Sequence, residues 1–311
     1  MDVLSEALRS VALRSQIYGR LELKAPWGMR VEAPAVTTFY ALSRGGCVLE
    51  TREQRLTLAA GDVVLLRAGL GHTLRDRPGS RVVSPTAVYA QRGGRCGGIV
   101  YYGGGGAPTT IVAGGLHFID TRLSPLVAGL PEVIHVQGDG GVTSRWLEST
   151  LQFVASEMDA ELPGYELVAS RLADVLFVQA LRAHVANVTD EQVGWLRALS
   201  DPALGVALQR MHERPVEPWT VAALARSAGM SRSAFAARFK AVLGISPLAY
   251  LTRWRMQRAA EMLIDGAAST IAVASAVGYV THSAFAKAFK RYTGETPGAY
   301  RHKTRDAGHR R

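Results

Sequence analysis

The sequence predicts an α+β protein of two domains, with an N-terminal β-barrel or jelly roll, linking helices, and a C-terminal all-α domain. Three observations support this fold class. Short β-type runs separated by turns extend from residue 17 to about residue 140, which is typical of a sandwich or barrel. Apolar residues at a spacing of three to four begin near Ser144 and indicate helices. A helical segment then occurs twice near the carboxyl end.

The length of 311 residues allows two domains of ordinary size. We expect a β domain over residues 1–142, linking or dimerisation helices over 143–199, the all-α domain over 200–302 and a basic tail over 303–311. The amino terminus lacks the apolar core of a signal peptide. No stretch approaches the roughly 18 uncharged apolar residues of a membrane span, so we expect a cytoplasmic protein with no membrane partner.

The β domain contains runs such as VTTFYAL, GCVLETR and, from Val63 to Leu66, VVLL, which fits a buried strand. The stretch from Gly93 to Thr110 is rich in glycine but lacks the Gly-Lys-Ser/Thr end of a phosphate-binding loop. We therefore expect a flexible loop or hairpin tip in this stretch rather than a ligand cradle.

Two helical patterns follow, WLESTLQFVASEM and YELVASRLADVLFVQALRAHVA. The second spans about 22 residues and is apolar on more than one stripe, so we expect it to pack between domains or against a second copy of the chain. We expect residues 190–199 to form a connector, and Asp201-Pro202 to open the next helical series.

The net charge of +10 lies entirely in the last third of the chain. Residues 200–311 contain 17 Lys and Arg against 7 Asp and Glu, whereas residues 1–199 contain 19 of each class. A basic domain beside a neutral one indicates a polyanionic partner, and a solvated basic surface with a basic tail is the alternative.

The repeated segment is SAFAARFK, from Ser233 to Lys240, which returns 50 residues later as SAFAKAFK from Ser283 to Lys290. Six of the eight positions are identical, and a glycine, a proline and a tyrosine beyond them also repeat. Upstream of these helices the offset is 49, so the second copy contains one inserted residue in the preceding turn.

Each copy has the layout of a helix-turn-helix unit, over about residues 220–242 and 269–292. Thr220 can cap the first helix of the first copy, and Gly229 suits the left-handed position after that helix. Ser231 in the first copy and Thr281 in the second can cap the helices that follow.

Projection of the second helix of each copy at 100° per residue separates an aromatic face from a small or basic face. A helix from Pro247 to about residue 264 lies between the copies and would span roughly 27 Å, comparable with the roughly 34 Å of one DNA turn. We therefore expect two major-groove insertions from one chain, and a duplicated packing unit without DNA contact is the alternative. The expected phosphate contacts are Lys240, Arg253, Arg255, Lys290 and Arg291.

The region from Asp201 to Arg301 resembles the DNA-binding domain of the AraC/XylS family of bacterial transcriptional regulators. The resemblance rests on WTVAALARSAGMSRSAFAARFKAVLGISPLAYLTRWRMQRAAEML and VGYVTHSAFAKAFKRYTGETPGAYR. It implies seven helices with two helix-turn-helix units. By this resemblance the base-edge contacts are Arg232, Ser233, Ala236, Ala237, His282, Ser283, Ala286 and Lys287. The alanines among them suit thymine methyl groups.

The N-terminal region is similar to the cupin-type sensor domains of such regulators. GDVVLLRAGLGHTL resembles the second cupin box, with Arg67 in place of a proline. The region where the first box should lie contains no histidine, and Tyr40 stands about where one is expected. His72 is then a lone imidazole, so we expect a degenerate cupin that has neither a metal, a cofactor nor enzymatic activity. A metal-dependent cupin enzyme with a helical appendage is the alternative.

Two cysteines, Cys47 and Cys96, form neither a metal-ligand spacing nor a disulfide framework. Cys96 follows Arg95, and nearby positive charge lowers the pKa of a thiol and favours oxidation. A redox or electrophile sensor is one hypothesis, and a buried Cys47 with an incidental Cys96 is the other. The sensor candidates of the β domain are Cys47, Cys96, His72 and Tyr40.

The expected function is that of a sequence-specific DNA-binding transcriptional regulator, an activator by family analogy. Its cupin-like domain would sense an unknown small molecule or chemical state. The expected partners are double-stranded promoter DNA, RNA polymerase and the effector, with a homodimer as a further option.

Overall fold

The computed structural model describes residues 3–10, 13–90, 98–118, 127, 129–138, 142–160, 162–187, 194–266 and 268–308. Contacts between residues divide the chain into two compact units. The β unit comprises residues 13–117 and 131–187, and the helical unit comprises residues 1–12, 118–130 and 188–311. Both copies of the repeated segment therefore lie within the helical unit.

The described elements follow the predicted order of strands and then helices. The strands are β1 (Arg14–Lys24), β2 (Gly28–Val31), β3 (Thr37–Arg44), β4 (Gly46–Glu50), β5 (Arg55–Ala59), β6 (Val63–Leu66), β7 (His72–Arg75), β8 (Ile99–Gly103), β9 (Pro108–His117) and β10 (Val133–Val136). The helices are α1 (Val3–Ser10), α2 (Pro85–Ala90), α3 (Val142–Ala160), α4 (Tyr165–Ala186), α5 (Trp195–Ser200), α6 (Pro202–Glu213), α7 (Val221–Ser227), α8 (Arg232–Leu243), α9 (Pro247–Asp265), α10 (Thr270–Ala276), α11 (His282–Thr293) and α12 (Pro297–Gly308).

The strands of the β unit form two sheets, a six-stranded sheet of order β10-β6-β3-β9-β1-β8 and a four-stranded sheet of order β2-β7-β4-β5. Neighbouring strands are antiparallel except β1 and β8, which are parallel. The core lies between the sheets because alternate side chains of each strand point inward. Leu21 and Leu23 of β1 meet Leu49 of β4 and Leu74 of β7 in this core.

The outer face of the six-stranded sheet is covered by helices, and this explains why every residue of β6 is buried. Val64 and Leu66 belong to the core between the sheets, so Val63 and Leu65 face the other way. The α4 helix packs against β1 and β10. Its buried face contains the alanines Ala169, Ala173, Ala180 and Ala183, which allow close approach.

The helical unit is built around a buried aromatic cluster that joins α5, α6 and α9. The indole N–H of Trp195 donates to the hydroxyl oxygen of Tyr250 over 2.7 Å. The Tyr250 hydroxyl also lies 2.8 Å from Nε2 of His212, whose ring stacks on Trp254 with 3.8 Å between centroids. Because the Tyr250 oxygen accepts from the indole, its own proton is directed to a neutral His212 ring.

The fold class is confirmed, and two local predictions are wrong. Part of the predicted connector over residues 190–199 is helical in α5, where Trp195 is buried because it reaches Tyr250. The stretch from Gly93 to Thr110 was expected to be a flexible loop or hairpin tip, but its described part contains β8 and the start of β9, which both pair with β1. Glycine content masked the short apolar run IVYY of β8.

The compact units also group the segments differently from the predicted domain ranges. Helix α1 packs on α6 and α9 of the helical unit, whereas α3 and α4 pack on the β unit. The ranges 1–142, 143–199 and 200–302 therefore stay predictions about functional domains. Among the described residues no single helix is long and apolar enough to cross a membrane. The pair α8 and α9, bent by 55°, would be long and apolar enough only if its two helices are counted together, by length and composition alone.

Acid should destabilise the helical unit through His212. Burial, followed by the nearby Arg258 charge, lowers the pKa of His212 from 6.5 to about 3. In the unfolded chain His212 therefore takes up a proton near pH 6.5, whereas in the folded chain it does so only near pH 3. The stabilisation is complete above the unfolded pKa and is progressively lost as the pH falls below it, by about 2 kcal/mol between pH 7 and pH 5.

The measurement is the protection of α6 and α9 amides from hydrogen exchange in the full chain at both pH values. His212→Phe keeps a ring in the stack but does not titrate, so the contribution of His212 to the pH dependence should disappear in this variant. Equal protection of the wild-type amides at pH 7 and pH 5 would contradict the expectation.

Candidate nucleic-acid interface

The helices of both repeated units begin at side-chain caps, as the sequence predicts. The hydroxyl of Thr220 accepts from the amide of the third residue after it at the start of α7, and Ser269 does the same for α10. Ser231 and Thr281 cap α8 and α11 in the same way, each over 3.3 Å. Each cap satisfies a backbone donor at the helix end and so fixes where the helix starts.

The turn between the two helices starts in the same way in both units, although it is one residue longer in the second. In the first unit Gly229 has a φ of +65°, and the amide of Met230 donates to the carbonyl of Ala225 over 2.9 Å. In the second unit Gly278 has a φ of +81°, and the amide of Tyr279 donates to the carbonyl of the residue that repeats Ala225 over 2.9 Å. The left-handed position predicted for Gly229 is confirmed, and Gly278, which repeats it, has the same conformation.

A repeated aromatic packing orients each second helix. The Phe239 ring lies 5.6 Å from the Phe235 ring and 5.7 Å, at 78°, from the Tyr250 ring. The Phe289 ring lies 5.6 Å from the Phe285 ring and 5.4 Å, at 82°, from the tyrosine that repeats Tyr250. The four phenylalanines are fully buried. Since these residues hold one face of α8 and α11 in the core, the opposite faces point to solvent.

The predicted base-edge residues lie on these outer faces. Six are exposed and the other two, Ala236 and Ala286, are partly exposed. The set comprises Arg232, Ser233, Ala236 and Ala237 on α8, and His282, Ser283, Ala286 and Lys287 on α11. The structure thus brings each group of four together on one helix face, and their contacts with DNA stay predictions.

The predicted phosphate contacts divide into two classes. Lys240 on α8 and Lys290 and Arg291 on α11 are exposed, and the Arg291 guanidinium lies 5.7 Å from the Tyr292 ring centroid. Arg253 on α9 is partly exposed. Arg255 instead donates to the backbone, with Nε 2.6 Å from the carbonyl oxygen of Pro215. Its placement does not support a phosphate contact, because its guanidinium is occupied within the protein.

Sequence reasoning missed an ion pair that holds α8. The Asp201 carboxylate is fully buried, caps α6 through the amides of Ala203 and Leu204, and accepts from the Arg238 guanidinium over 2.7 Å. The amide of Gly194 also donates to a carbonyl of α8, that of Val242, over 2.7 Å. The Asp-Pro pair signals the cap, but nothing local in the sequence signals its cation.

The electrostatics of the two units favour a polyanion. The sequence contains no Asp or Glu between residues 218 and 260 or between residues 266 and 294. The positive side chains on α8 and α11 therefore have no acidic residue within their own helices, whereas on α9 Arg258 is paired with Glu261 over 2.8 Å. Basic, acid-free helix faces with small residues suit the phosphates and base edges of a DNA major groove.

Comparison with known proteins identifies the family. Residues 2–186 match the family model described as Cupin, and residues 224–303 match that of a helix-turn-helix domain. An AraC-like transcription regulator of Streptomyces lividans is 36% identical over 97% of this chain and 98% of its own length. The chain belongs to the AraC-like transcriptional regulators. It is a DNA-binding regulator in which a cupin domain precedes the helix-turn-helix domain.

Two further relatives resemble this regulator. The RCS-specific HTH-type transcriptional activator RclR of Escherichia coli (strain K12) is 32% identical over 98% of this chain and 99% of its own length. Among solved structures, the DNA-binding domain of AdpA in complex with a target DNA is 33% identical, covers 35% of this chain and 96% of that chain, and has a TM-score of 0.33.

The β unit of the regulator brings Tyr40 and His72 together across the two sheets. The Tyr40 hydroxyl lies 2.8 Å from Nε2 of His72, and Nδ1 of His72 lies 2.8 Å from the carbonyl oxygen of Leu70. Since a carbonyl only accepts, Nδ1 carries the ring proton and the Tyr40 hydroxyl donates to Nε2. Burial raises the pKa of Tyr40 and lowers the pKa of His72, so both groups are neutral near pH 7.

The side chains of this unit do not fit a metal-dependent cupin site. Both ring nitrogens of His72 are used in hydrogen bonds, and His135 is paired with Asp62 over 3.0 Å. In the part of the chain that the structure describes, no group of three or more His, Cys, Asp or Glu is arranged to hold a metal ion. The relatives are transcriptional regulators, so the alternative of a cupin enzyme is not favoured.

The structure describes only one of the two cysteines. Cys47 of β4 lies in the core between the sheets, and Cys96 lies outside the described residues. Burial, with a contribution from the Asp62 charge, raises the pKa of the Cys47 thiol to about 12. A thiol with so little thiolate at neutral pH is a poor nucleophile, so its placement does not support Cys47 as an oxidant sensor.

Cys47 should therefore resist alkylation in the native chain. With its pKa near 12, its reaction with iodoacetamide at pH 7.5 should be roughly a thousandfold slower than that of an ordinary exposed thiol. A Cys96→Ser variant leaves Cys47 as the sole target, and mass spectrometry counts adducts with and without urea. Rapid modification of the folded variant would contradict this expectation.

Proposed function

We propose that α8 and α11 enter successive major grooves of promoter DNA and that the regulator acts there as a sequence-specific activator. The observation that carries this proposal is the shared geometry of the two units, in which the same caps, turns and aromatic packing present two acid-free faces. Helix α9, between them, has a length of roughly 28 Å at 1.5 Å per residue, close to the separation of neighbouring major-groove segments.

The base-edge residues have distinct roles in this proposal. Lys287 and Arg232 donate to guanine O6 or N7, and Ser233 and Ser283 serve either base edge. The alanines contact thymine methyl groups. The exposed Lys240, Lys290 and Arg291 neutralise phosphates and so contribute affinity without sequence information; partly exposed Arg253 is assigned the same role.

The cupin domain is the sensory part of the proposal, and its signal is a small molecule or a chemical state. The β unit has a partly open cavity of about 310 Å³ beside β1, α3 and α4, at the lower end of the usual size of small-molecule sites. Its lining combines apolar and polar groups and includes Ile17, Met158, Leu167, Tyr165 and Ser170. An effector of that size with both apolar and hydrogen-bonding parts fits such a lining.

A homodimer through α3 and α4 completes the proposal. Large apolar side chains are exposed on these helices, with Phe153 at 52% and Leu167 at 63% exposure. Val168 and Val175 are also exposed on α4, each at 38%. Exposed apolar patches of this kind mark interaction surfaces, and a second copy of the chain offers the same patch in return.

Activation and location follow from the family and from the DNA target. A relative that is 32% identical is a transcriptional activator, and an activator bound at a promoter acts on RNA polymerase. We therefore propose RNA polymerase as a partner. A regulator of bacterial promoters works in the cytoplasm, where the chromosome lies.

Substitution of Lys290 and Lys287 tests the DNA contacts. The probe is a duplex selected by the wild-type chain from a random-sequence pool, and its affinity is measured by fluorescence anisotropy over a series of salt concentrations. Lys290→Ala should weaken binding to all duplexes similarly and reduce the salt slope by about 1. Lys287→Ala should cost about 1–3 kcal/mol and relax the preference for one base pair.

The control is Lys24→Ala, which removes the same charge from an exposed position of the β unit. It should leave both the affinity and the salt slope unchanged. A wild-type chain that selects no sequence from the pool, or a Lys290→Ala variant that behaves like Lys24→Ala, would contradict the proposed interface.

The dimer is tested by placing a charge in the apolar patch. Leu167→Glu should shift the chain from dimer to monomer, because a carboxylate there would have to be desolvated in the interface. Gln54→Glu adds the same charge at an exposed position of the β unit and should leave the mass unchanged. Sedimentation at micromolar concentration measures both, and a wild-type monomer would contradict the proposal.

A further inference from the structure

The segment that precedes the first helix-turn-helix unit touches the turn of the second unit. This segment comprises residues 214–219 and leads directly into Thr220, the cap of α7. The turn of the second unit contains Gly278, where an added Cβ would lie 2.9 Å from the carbonyl oxygen of Val216 and 3.1 Å from its Cα. The segment that leads into the first unit is therefore in contact with the turn of the second unit.

Arg255 occupies this point from the middle of α9. Its Nε donates to the carbonyl of Pro215 over 2.6 Å, and one terminal nitrogen donates to the carbonyl of Glu217 over 2.9 Å. That terminal nitrogen also lies 3.5 Å from the Val216 carbonyl and would lie 3.1 Å from a Cβ added at Gly278. The guanidinium fork thus holds the 214–219 segment on one side and faces the second turn on the other.

The contact continues to α11. Helices α8 and α11, which are proposed to enter the DNA, are the two recognition helices. Tyr279, next to Gly278, has its ring 5.8 Å from the Phe285 ring of α11. Burial raises the pKa of Tyr279, and the nearby positive charge of Arg255 acts in the opposite direction. The two side chains therefore interact electrostatically. Arg255 is consequently linked to α7 through the 214–219 segment and to α11 through Tyr279.

The two turn glycines differ at this point although their backbone conformations are alike. Gly229 has a φ of +65° and an added Cβ would have no atom within 4 Å, whereas Gly278 has a φ of +81° and faces the Val216 backbone. Strain from the left-handed conformation is therefore common to both positions, and the steric contact belongs to Gly278 alone.

We propose that Arg255 and Gly278 form a joint that fixes the separation and rotation of α8 relative to α11, and hence the spacing of the DNA segments that the regulator accepts. The inference rests on the proposed insertion of both helices into DNA. Arg255 is a positioning residue here, because it acts on the DNA through the units that it holds. A planar fork with fixed donor directions defines one arrangement of two backbones, which a flexible lysine does not.

The experiment measures spacing preference rather than affinity alone. A duplex selected by the wild-type chain from a random-sequence pool is remade with one base pair inserted or removed between the two recognised segments, which rotates one segment by about 35°. The wild-type chain should bind these remade duplexes on the order of tenfold more weakly. Arg255→Met and Gly278→Ala should reduce this difference to about threefold or less, because the joint no longer holds one geometry.

Two matched variants separate the joint from general effects. Arg253→Met removes one charge from the same helix and should weaken binding to all spacings by the same factor. Gly229→Ala introduces the same backbone strain without the contact, and it should keep the wild-type spacing preference. Hydrogen exchange of α8 and α11 amides reports whether each variant is folded, and Arg255→Lys, which keeps the charge, replaces Arg255→Met if that variant unfolds.

The outcomes distinguish this inference from the function on which it rests. A wild-type chain that selects no sequence, or tolerates every spacing, contradicts the use of both helices. A wild-type chain with a strict spacing that folded Arg255 and Gly278 variants retain overturns the joint alone. Loss of strict spacing in these variants, with its retention in Arg253→Met and Gly229→Ala, supports it.

Discussion

The burial of two phenylalanines on each recognition helix is the constraint on which the helical unit depends. Helices α8 and α11 have 12 residues each, and helices of that length are marginal in water by themselves. Phe235 and Phe239, with Phe285 and Phe289, hold them to the core by one face. The same contacts decide which residues face solvent, so that stability and the composition of the DNA-facing surface follow from one packing arrangement.

Features set by neighbouring residues were predictable from the sequence. The caps at Ser231 and Thr281 and the left-handed Gly229 and Gly278 are encoded within a turn or two of where they act, and the repeat made them recognisable twice. The fold class followed from strand and helix periodicity in the same way. Trp195 was assigned to a connector because its partner, Tyr250, lies 55 residues away in the sequence.

The outer faces of the candidate site were predictable by helical projection. The sequence did not reveal which arginines form bonds within the protein and so do not face solvent freely. Arg238 and Arg255 have the same local character as the exposed basic residues around them. Their partners, the Asp201 carboxylate and the Pro215 carbonyl, are 37 and 40 residues away, and only the fold brings them together. Likewise Tyr40 and His72 were each noticed alone, and their bond crosses between two sheets.

The short helix α5 and the glycine before it are bonded to the first of the two repeated units. Gly194 is bonded to the carboxyl-terminal part of α8, and Trp195 to the tyrosine that supports it. A change in the backbone at this point therefore acts directly on α8, through the Gly194 bond and through Tyr250. The repeat along the sequence does not include this contact, because Gly194 and Trp195 precede the first copy.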